Sequence, residues 1–318
     1  MRMPSGTAGL VMRLTVTLGL LAFLLFWVAD PQEVVRRVGG AAPTAVLAAV
    51  GLSVFDRLAM AGKWWLLLRA RKLSVSLWIA IRAYFASSLY GLVLPVTVGA
   101  DAVRIVALRH VGIPEVTASI VVERGLGVIA MGSVALLSSL LLAQAATDDA
   151  VRSLGLWLFV FVVISGGLFA VSLAAADRAA KWARAPAVVR RAAEAYGVYR
   201  RHPGVLAVFY CLSVFESLIC AGIAWIAASA LGIPLALPTA VATVPISLAV
   251  ARLPVSVGGF GVQEAACAFF GGLVGIARTD AFSIFFLMDI AMFAALLPAA
   301  LDGRMLTLRR QVARDGVV

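Results

Sequence analysis

Apolar residues run along this chain in blocks long enough to cross a bilayer, and polar residues collect between them. Six such blocks are read at about Leu10–Ala29, Ala41–Leu68, Val116–Ala143, Leu154–Ala175, Val205–Leu231 and Asp280–Leu301. A membrane-spanning helix needs about 20 mostly apolar residues, so each block predicts a crossing. Two further apolar stretches, Val75–Leu94 and Pro238–Ala251, end in breaks carrying proline and glycine. Short helices follow them at about Asp101–Arg109 and Val262–Ile276. The expected fold class is therefore all-α: a polytopic integral membrane protein with about six full transmembrane helices and two re-entrant helical hairpins in an inverted repeat. It is read as a single transmembrane domain over 1–318, with repeats of about 1–150 and 151–318.

The breaks suggest the repeat. L-P-V-T-V-G-A-D-A-V-R begins at Leu94 and L-P-V-S-V-G-G-F-G-V-Q at Leu253, so the second copy starts half a chain length after the first. Identities fall at Leu94/Leu253, Pro95/Pro254, Val96/Val255, Val98/Val257, Gly99/Gly258 and Val103/Val262. Three crossings per half would invert the second copy. Paired interrupted segments in inverted halves point to a transporter-type site near the midplane; the alternative is chance likeness between two apolar loops. Irregular backbone at membrane depth survives only where protein or water covers it. The breaks, inside 74–110 and 236–276, are thus expected to share an interior cavity.

Charge adds orientation. The net charge of +11 sits between apolar runs, which fits loops held against anionic lipid rather than nucleic acid. Basic clusters follow the second block (Arg69, Arg71, Lys72), fill the centre (Arg178, Lys181, Arg184, Arg190, Arg191, Arg200, Arg201) and end the chain (Arg304, Arg309, Arg310, Arg314). Placed inside, they put both termini in the cytoplasm and Asp148–Asp149 outside, with Arg36 and Arg37 against the rule. The segment 177–202 mixes these bases with Trp182, Val188, Val189, Tyr196 and Tyr199 and reads as a cytoplasmic amphipathic helix pair divided by Pro186. A composition of 63% hydrophobic residues and a mean hydropathy of +1.02 exceed the roughly 45–50% apolar content of soluble domains. The three cysteines (Cys211, Cys220, Cys267) lie in apolar stretches and form no paired motif, so no disulfide frame or metal site is indicated. The N-terminal block is too long for a signal peptide and is read as a retained helix.

Candidate chemistry follows from the breaks. Proline ends a half-helix, glycine lets the backbone turn, and the new helix start favours an anion. Asp101 reads as a cap of that start, with a ligand role as the alternative. Arg104, one turn on, either binds a headgroup or snorkels to the interface. Gly99, Gly258, Gly259 and Ser256 supply the backbone of the two starts. Glu264 shares a small-residue face with Ala268, Gly271 and Gly275 and is expected to point inward, as a functional carboxylate or a buried structural one. Glu123 shares a face with Gly127 and Ala130. Adjacent Arg124 is not its partner and turns to the surface or to the cavity. Asp56, Arg57, Glu216, Arg252 and Asp289 are further charges in or near apolar stretches. The sequence contains no phosphate-binding loop, no metal-ligating cluster and no hydrolase order, so no catalytic residue and no cofactor is assigned, and no enzyme activity is expected.

K-W-W-L-L-L-R at 63, the two break motifs and V-V-E-R-G-L-G at 121 together resemble the lysylphosphatidylglycerol synthase transmembrane-region family, also called the flippase-like domain family. The resemblance marks Lys63, Trp64, Pro95, Gly99, Asp101, Arg104, Glu123, Arg124, Pro254, Ser256, Gly258, Gly259, Gly261 and Glu264 as motif positions. Lys63 stands for an arginine, Ala100 for a glycine and Gln263 for a basic residue. The resemblance implies movement of anionic or modified lipids between leaflets, with membrane lipids as partners and no nucleic acid. The appended synthase domain is missing from this sequence, which leaves room for a lipid-modifying or glycosyltransferase partner. A lipid translocator of the cytoplasmic membrane is the expected function; a small-solute transporter or an accessory subunit or transferase of glycolipid or cell-wall lipid synthesis is the alternative.

Overall fold

Prolines and glycines decide where the helices of this chain begin and end. The computed structural model describes residues 15, 18, 19, 22, 23, 29–91, 97–145, 149–182, 186–251 and 261–301. Among them α1 covers Pro31–Gly39, α2 Pro43–Ala70, α3 Leu77–Gly91, α4 Thr97–Ala107, α5 Ile113–Ala145 and α6 Asp149–Lys181. Then follow α7 (Ala187–Gly197), α8 (Pro203–Ala230), α9 (Leu237–Ala251), α10 (Val262–Gly272) and α11 (Arg278–Leu301). Proline opens α1, α2 and α8, where its missing N–H costs no intrahelical bond. Asp30 caps α1, accepting from the N–H groups of Gln32 and Glu33 at 2.9 and 3.3 Å. Lys72 (φ 55°) and Gly232 (φ 67°) close α2 and α8 in the left-handed conformation.

Among the described residues, five helices are long and apolar enough to cross a membrane: 43–70, 113–144, 152–181, 203–230 and 278–298. They are the five expected crossings after the first, of which only Thr15, Leu18, Gly19, Ala22 and Phe23, all helical, and Ala29 are described. The protein is an all-helical, polytopic membrane protein. α6 lies at its periphery: only 6% of its most apolar window is buried, and Trp157, Phe159, Val163, Ile164 and Leu168 face outward. Between the crossings stand two pairs of short helices. α3 and α4 have 15 and 11 residues, and so do α9 and α10. At 1.5 Å per residue these reach about 22 and 16 Å, short of a hydrocarbon core of about 30 Å.

The lengths 28–15–11 thus occur twice, α2–α3–α4 and α8–α9–α10. The packing repeats as well. α2 against α3, α5 and α11 is matched by α8 against α9, α11 and α5. α3 against α11 is matched by α9 against α5, and α1 against α11 by α7 against α5. α2 and α8 pack on each other and run antiparallel. The Ala42 N–H at the head of α2 donates to the Ala230 carbonyl at the foot of α8 (2.8 Å). The Tyr199 hydroxyl, just before α8, donates to the Leu67 carbonyl near the foot of α2 (3.0 Å). Small residues permit the close approach: Ala49, Ala61, Ala221, Ala224, Ala227 and Ala228 are all fully buried.

Some expected boundaries move. The polar segment 177–202 is not a pair of surface helices. Its first residues extend α6 to Lys181, because the Ala-rich run before Lys181 continues the helix, and beyond Pro186 lie α7 and a 3-10 turn at Val198–Arg201. α7 also packs down: Ala195 and Tyr199 are buried, and the Tyr196 hydroxyl lies 2.7 Å from that of Ser172. α10 ends at Gly272, so Gly275 (φ 80°) belongs to the turn and not to the Glu264 face.

The antiparallel seam predicts a cross-link. In a chain freed of its native cysteines, an Ala42→Cys, Ala230→Cys pair is expected to oxidise to a disulfide, because the backbones there meet within hydrogen-bond distance and disulfides need Cα atoms about 4.4–6.8 Å apart. A pair of Ala42→Cys with Gly204→Cys, at the other end of α8, is expected to stay reduced. Gel mobility of the protease-nicked chain reads both.

Candidate functional site

Charged side chains that would be costly in hydrocarbon gather where α4 meets α5. Arg104 is 1% exposed. Its guanidinium donates to Asp101 Oδ1 at 2.6 Å and to Glu123 Oε2 at 2.5 Å. It also lies over the rings of Trp64 (4.9 Å) and Tyr84 (5.1 Å), which attract a cation electrostatically. The Tyr84 hydroxyl donates to Glu123 Oε1 at 3.3 Å, and the Trp64 indole N–H to Ser119 Oγ at 3.1 Å. Arg124 reaches across from α5 and holds Asp101 with two nitrogens, at 2.7 and 3.1 Å. The result is a continuous relay, Arg124–Asp101–Arg104–Glu123–Tyr84, of two cations and two anions. Asp101 sits inside a fork of two guanidiniums, the geometry that also suits phosphate.

A second group lies on the α2–α8 seam. Lys63, 5% exposed, donates to Glu216 and, at 3.1 Å, to Ser213. About two turns nearer the head of α2, Asp56 is 2% exposed and holds Arg57 through Oδ2 at 2.6 and 3.1 Å. The third group joins α10 to α11. Gly261 (φ 82°) begins α10, and Glu264 turns back to accept its N–H at 2.6 Å. Gln263 donates to Asp289 at 2.7 Å and to Glu264 at 3.4 Å. Glu264 is 1% exposed and Asp289 9%.

The structure thus brings Asp101, Arg104, Glu123 and Arg124 into one cluster and leaves Lys63 and Glu264 in neighbouring groups. Asp101 is not the helix cap: α4 starts at Thr97, and the Asp101 carboxylate, a turn inside, is taken by two arginines. Arg104 does not snorkel, because its counter-ions are buried with it. Glu264 points inward, as expected, and half of its carboxylate serves the start of α10. Gly99 lies in α4. Pro95, Pro254, Ser256, Gly258 and Gly259 lie outside the described residues, as does Arg252. Sequence reasoning missed Tyr84 and the pairing of Lys63 with Glu216. The signal for the latter was present: L-S-V-F-D-R-L at 52 recurs as L-S-V-F-E-S-L at 212. This second echo is stronger than the one between the breaks.

A bundle of apolar spans that buries a linked set of charged groups defines a membrane protein with a polar interior. The model of the lysylphosphatidylglycerol synthase TM region matches residues 10–300, and the chain belongs to that family, a family of membrane domains tied to lipid handling. No curated protein matches the chain.

The relay predicts a steep and non-additive stability loss. Removing one partner of a buried ion pair costs about 3–5 kcal/mol. Arg104→Ala is expected to lower the unfolding midpoint in detergent by an amount in that range, since it strands Asp101 and Glu123. Adding Glu123→Ala to it is expected to recover part of the loss, a coupling that a double-mutant cycle measures.

Proposed function

We propose that this protein is a lipid translocator, a flippase or scramblase of the cytoplasmic membrane, for an anionic or modified phospholipid or glycolipid. The observation that carries this reading is the guanidinium fork around Asp101. A phosphodiester offers the same paired oxygens as a carboxylate and replaces Asp101 between Arg104 and Arg124. Arg124, with its side chain 42% exposed, meets the headgroup first; buried Arg104 receives it. Asp101 and Glu123 hold the arginines in place while no headgroup is bound, which avoids an unpaired buried cation. The acyl chains stay in lipid along the apolar outer faces.

In this reading the two repeats are inverted about an axis in the membrane plane. Support comes from the matched helix lengths, the matched packing and the antiparallel run of the equivalent helices α2 and α8. The short pairs α3–α4 and α9–α10 are then re-entrant hairpins entering from opposite sides. Basic residues at the foot of α2 and in 178–201 favour cytoplasmic termini.

Leaflet exchange in proteoliposomes tests the reading. A fluorescent phosphatidylglycerol analogue, followed by quenching of the outer leaflet, is expected to equilibrate faster with the protein than without it. Arg104→Gln and Arg124→Gln are each expected to slow exchange about tenfold or more, since hydrogen bonds to charged groups contribute about 1.5–3 kcal/mol and about 1.36 kcal/mol is tenfold in rate. Exchange no faster than in protein-free vesicles would rule the reading out. Equal acceleration of an uncharged glycolipid analogue without a phosphate would leave the fork without a role.

A further inference from the structure

Asp56 stands at a special place. It lies as far from Pro43, the first residue of α2, as Glu216 lies from Pro203, the first residue of α8, and both helices have 28 residues. The two carboxylates are therefore the midpoint residues of two equivalent, antiparallel spans. Their surroundings repeat: Leu52, Ser53, Val54, Phe55 and Leu58 recur as Leu212, Ser213, Val214, Phe215 and Leu218. Ser53 and Ser213 even make the same bond, donating to the carbonyls of Ala49 (2.8 Å) and Phe209 (2.9 Å) one turn back.

The repeat breaks in charge. Glu216 receives Lys63 from the opposite helix. The residue that corresponds to Lys63 in α8 is Ile223, so the opposite helix offers Asp56 no cation. Arg57, whose counterpart is Ser217, compensates only one side of the Asp56 carboxylate. Asp56 Oδ2 takes both Arg57 bonds, and Oδ1 is buried with no hydrogen-bond partner among the described residues. A buried carboxylate oxygen without a donor carries a free-energy penalty, and the smallest species that relieves it is a proton.

We propose that Asp56 is a proton-binding site at the centre of the α2–α8 seam and that its occupancy is linked to loading of the anionic headgroup, the second clause resting on the lipid-translocator reading above. The proton comes from water and attaches to Oδ1, converting the carboxylate to a neutral acid, and returns to water on release. The quartet Asp56, Arg57, Lys63 and Glu216 passes from a net charge of zero to plus one. Arg57, which also acts electrostatically on Glu216 and Tyr84, is released from its ion pair. Glu216 then has two cations to share, and its hold on Lys63 weakens. Tyr84 belongs to the headgroup relay, so the added positive charge is felt there. By linkage, a proton that favours anion binding is itself favoured by the anion.

The groups that act on Asp56 are Arg57 and Lys63 of its own helix and Glu216 of α8. Tyr84 of α3 and Cys220 of α8 act on Arg57. From the other helices packed on α2, Glu123 and Arg124 of α5 are engaged with Arg104 and Asp101, and Asp289 of α11 with Gln263.

Infrared spectroscopy of the full chain in lipid nanodiscs tests the site without reference to lipid movement. The wild type is expected to show a protonated-carboxyl C=O band that grows as pH falls. Asp56→Asn is expected to lose it, Asp56→Glu to keep it at a shifted frequency, and Glu216→Gln to retain it. A titrating carboxyl band of the same intensity in the wild type and in Asp56→Asn, or no such band at all, overturns the proposal. So does suppression of the band by sodium in place of potassium at constant pH, which would identify a metal cation as the occupant. In proteoliposomes with an imposed pH gradient, wild-type exchange of the phosphatidylglycerol analogue is expected to follow the gradient's direction, and that of Asp56→Glu to follow it too. Wild-type exchange indifferent to the gradient overturns the linkage. A titrating Asp56 band in a wild type that moves no lipid refutes the translocator reading and supports the proton site.

Discussion

Charge buried inside this bundle calls for compensation close at hand. Hydrocarbon offers no water to solvate Arg104, Lys63 or Glu216, and an unpaired ion there costs several kcal/mol. The fold answers with side chains from different helices. Arg104 of α4 is matched by Glu123 of α5, and Lys63 of α2 by Glu216 of α8. Helix placement and charge compensation are therefore one constraint. A shift of α4 along α5 by one residue would turn Arg104 away from Glu123 and leave both charges uncompensated. The apolar packing serves the same end. The fully buried alanines of α2 and α8 bring backbones close enough for a lysine to reach across, and the rings of Trp64 and Tyr84 cover the arginine that the carboxylates hold.

The two sets of helices with matched lengths and packing differ in charge. In the first, two arginines and two carboxylates make a neutral relay at the α4–α5 junction. At the matching α10–α11 junction stand Glu264 and Asp289, joined through the Gln263 amide, with no arginine bonded to either among the described residues. Arg124 lies as far into α5 from Ile113 as Asp289 lies into α11 from Arg278, so a base in one half meets an acid in the other. The α4–α5 junction carries balanced charges and the α10–α11 junction is acidic.

Much of the scaffold could be read from the sequence, because a bilayer writes long apolar blocks and proline and glycine mark their ends. Helix boundaries after residue 40 fall within a few residues of those expected, except where Ala-rich polar sequence let α6 run on to Lys181. The site was less legible. Glu123, Arg104, Asp101 and Arg124 were each suspected, yet a sequence does not say which of four charges face one another. Asp101 looked like a cap because caps are set by the first helical residue, and α4 begins a turn earlier than its Pro-Gly break suggested. Tyr84 lay hidden because an aromatic residue in an apolar stretch looks like core until its hydroxyl finds Glu123. The seam charges were readable in principle, since the echo between residues 52–58 and 212–218 aligns Asp56 with Glu216. Its residues are those of ordinary apolar helix, so the echo carries no break or turn chemistry to mark it.

Electrostatics also bears on the proposed passage of an anionic lipid through such a bundle. One charge moved through a membrane potential of 100 mV changes the free energy by about 2.3 kcal/mol, so a headgroup crossing alone is driven or opposed by the cell's own potential. A headgroup that travels with a proton carries no net charge and escapes that term. The relay at α4–α5 is neutral before loading, and displacing Asp101 by a phosphodiester leaves one surplus negative charge. A proton on Asp56, part of the way along the same bundle, cancels it. The proposed fork and the proposed proton site are thus two halves of one requirement, that the loaded interior be as neutral as the empty one.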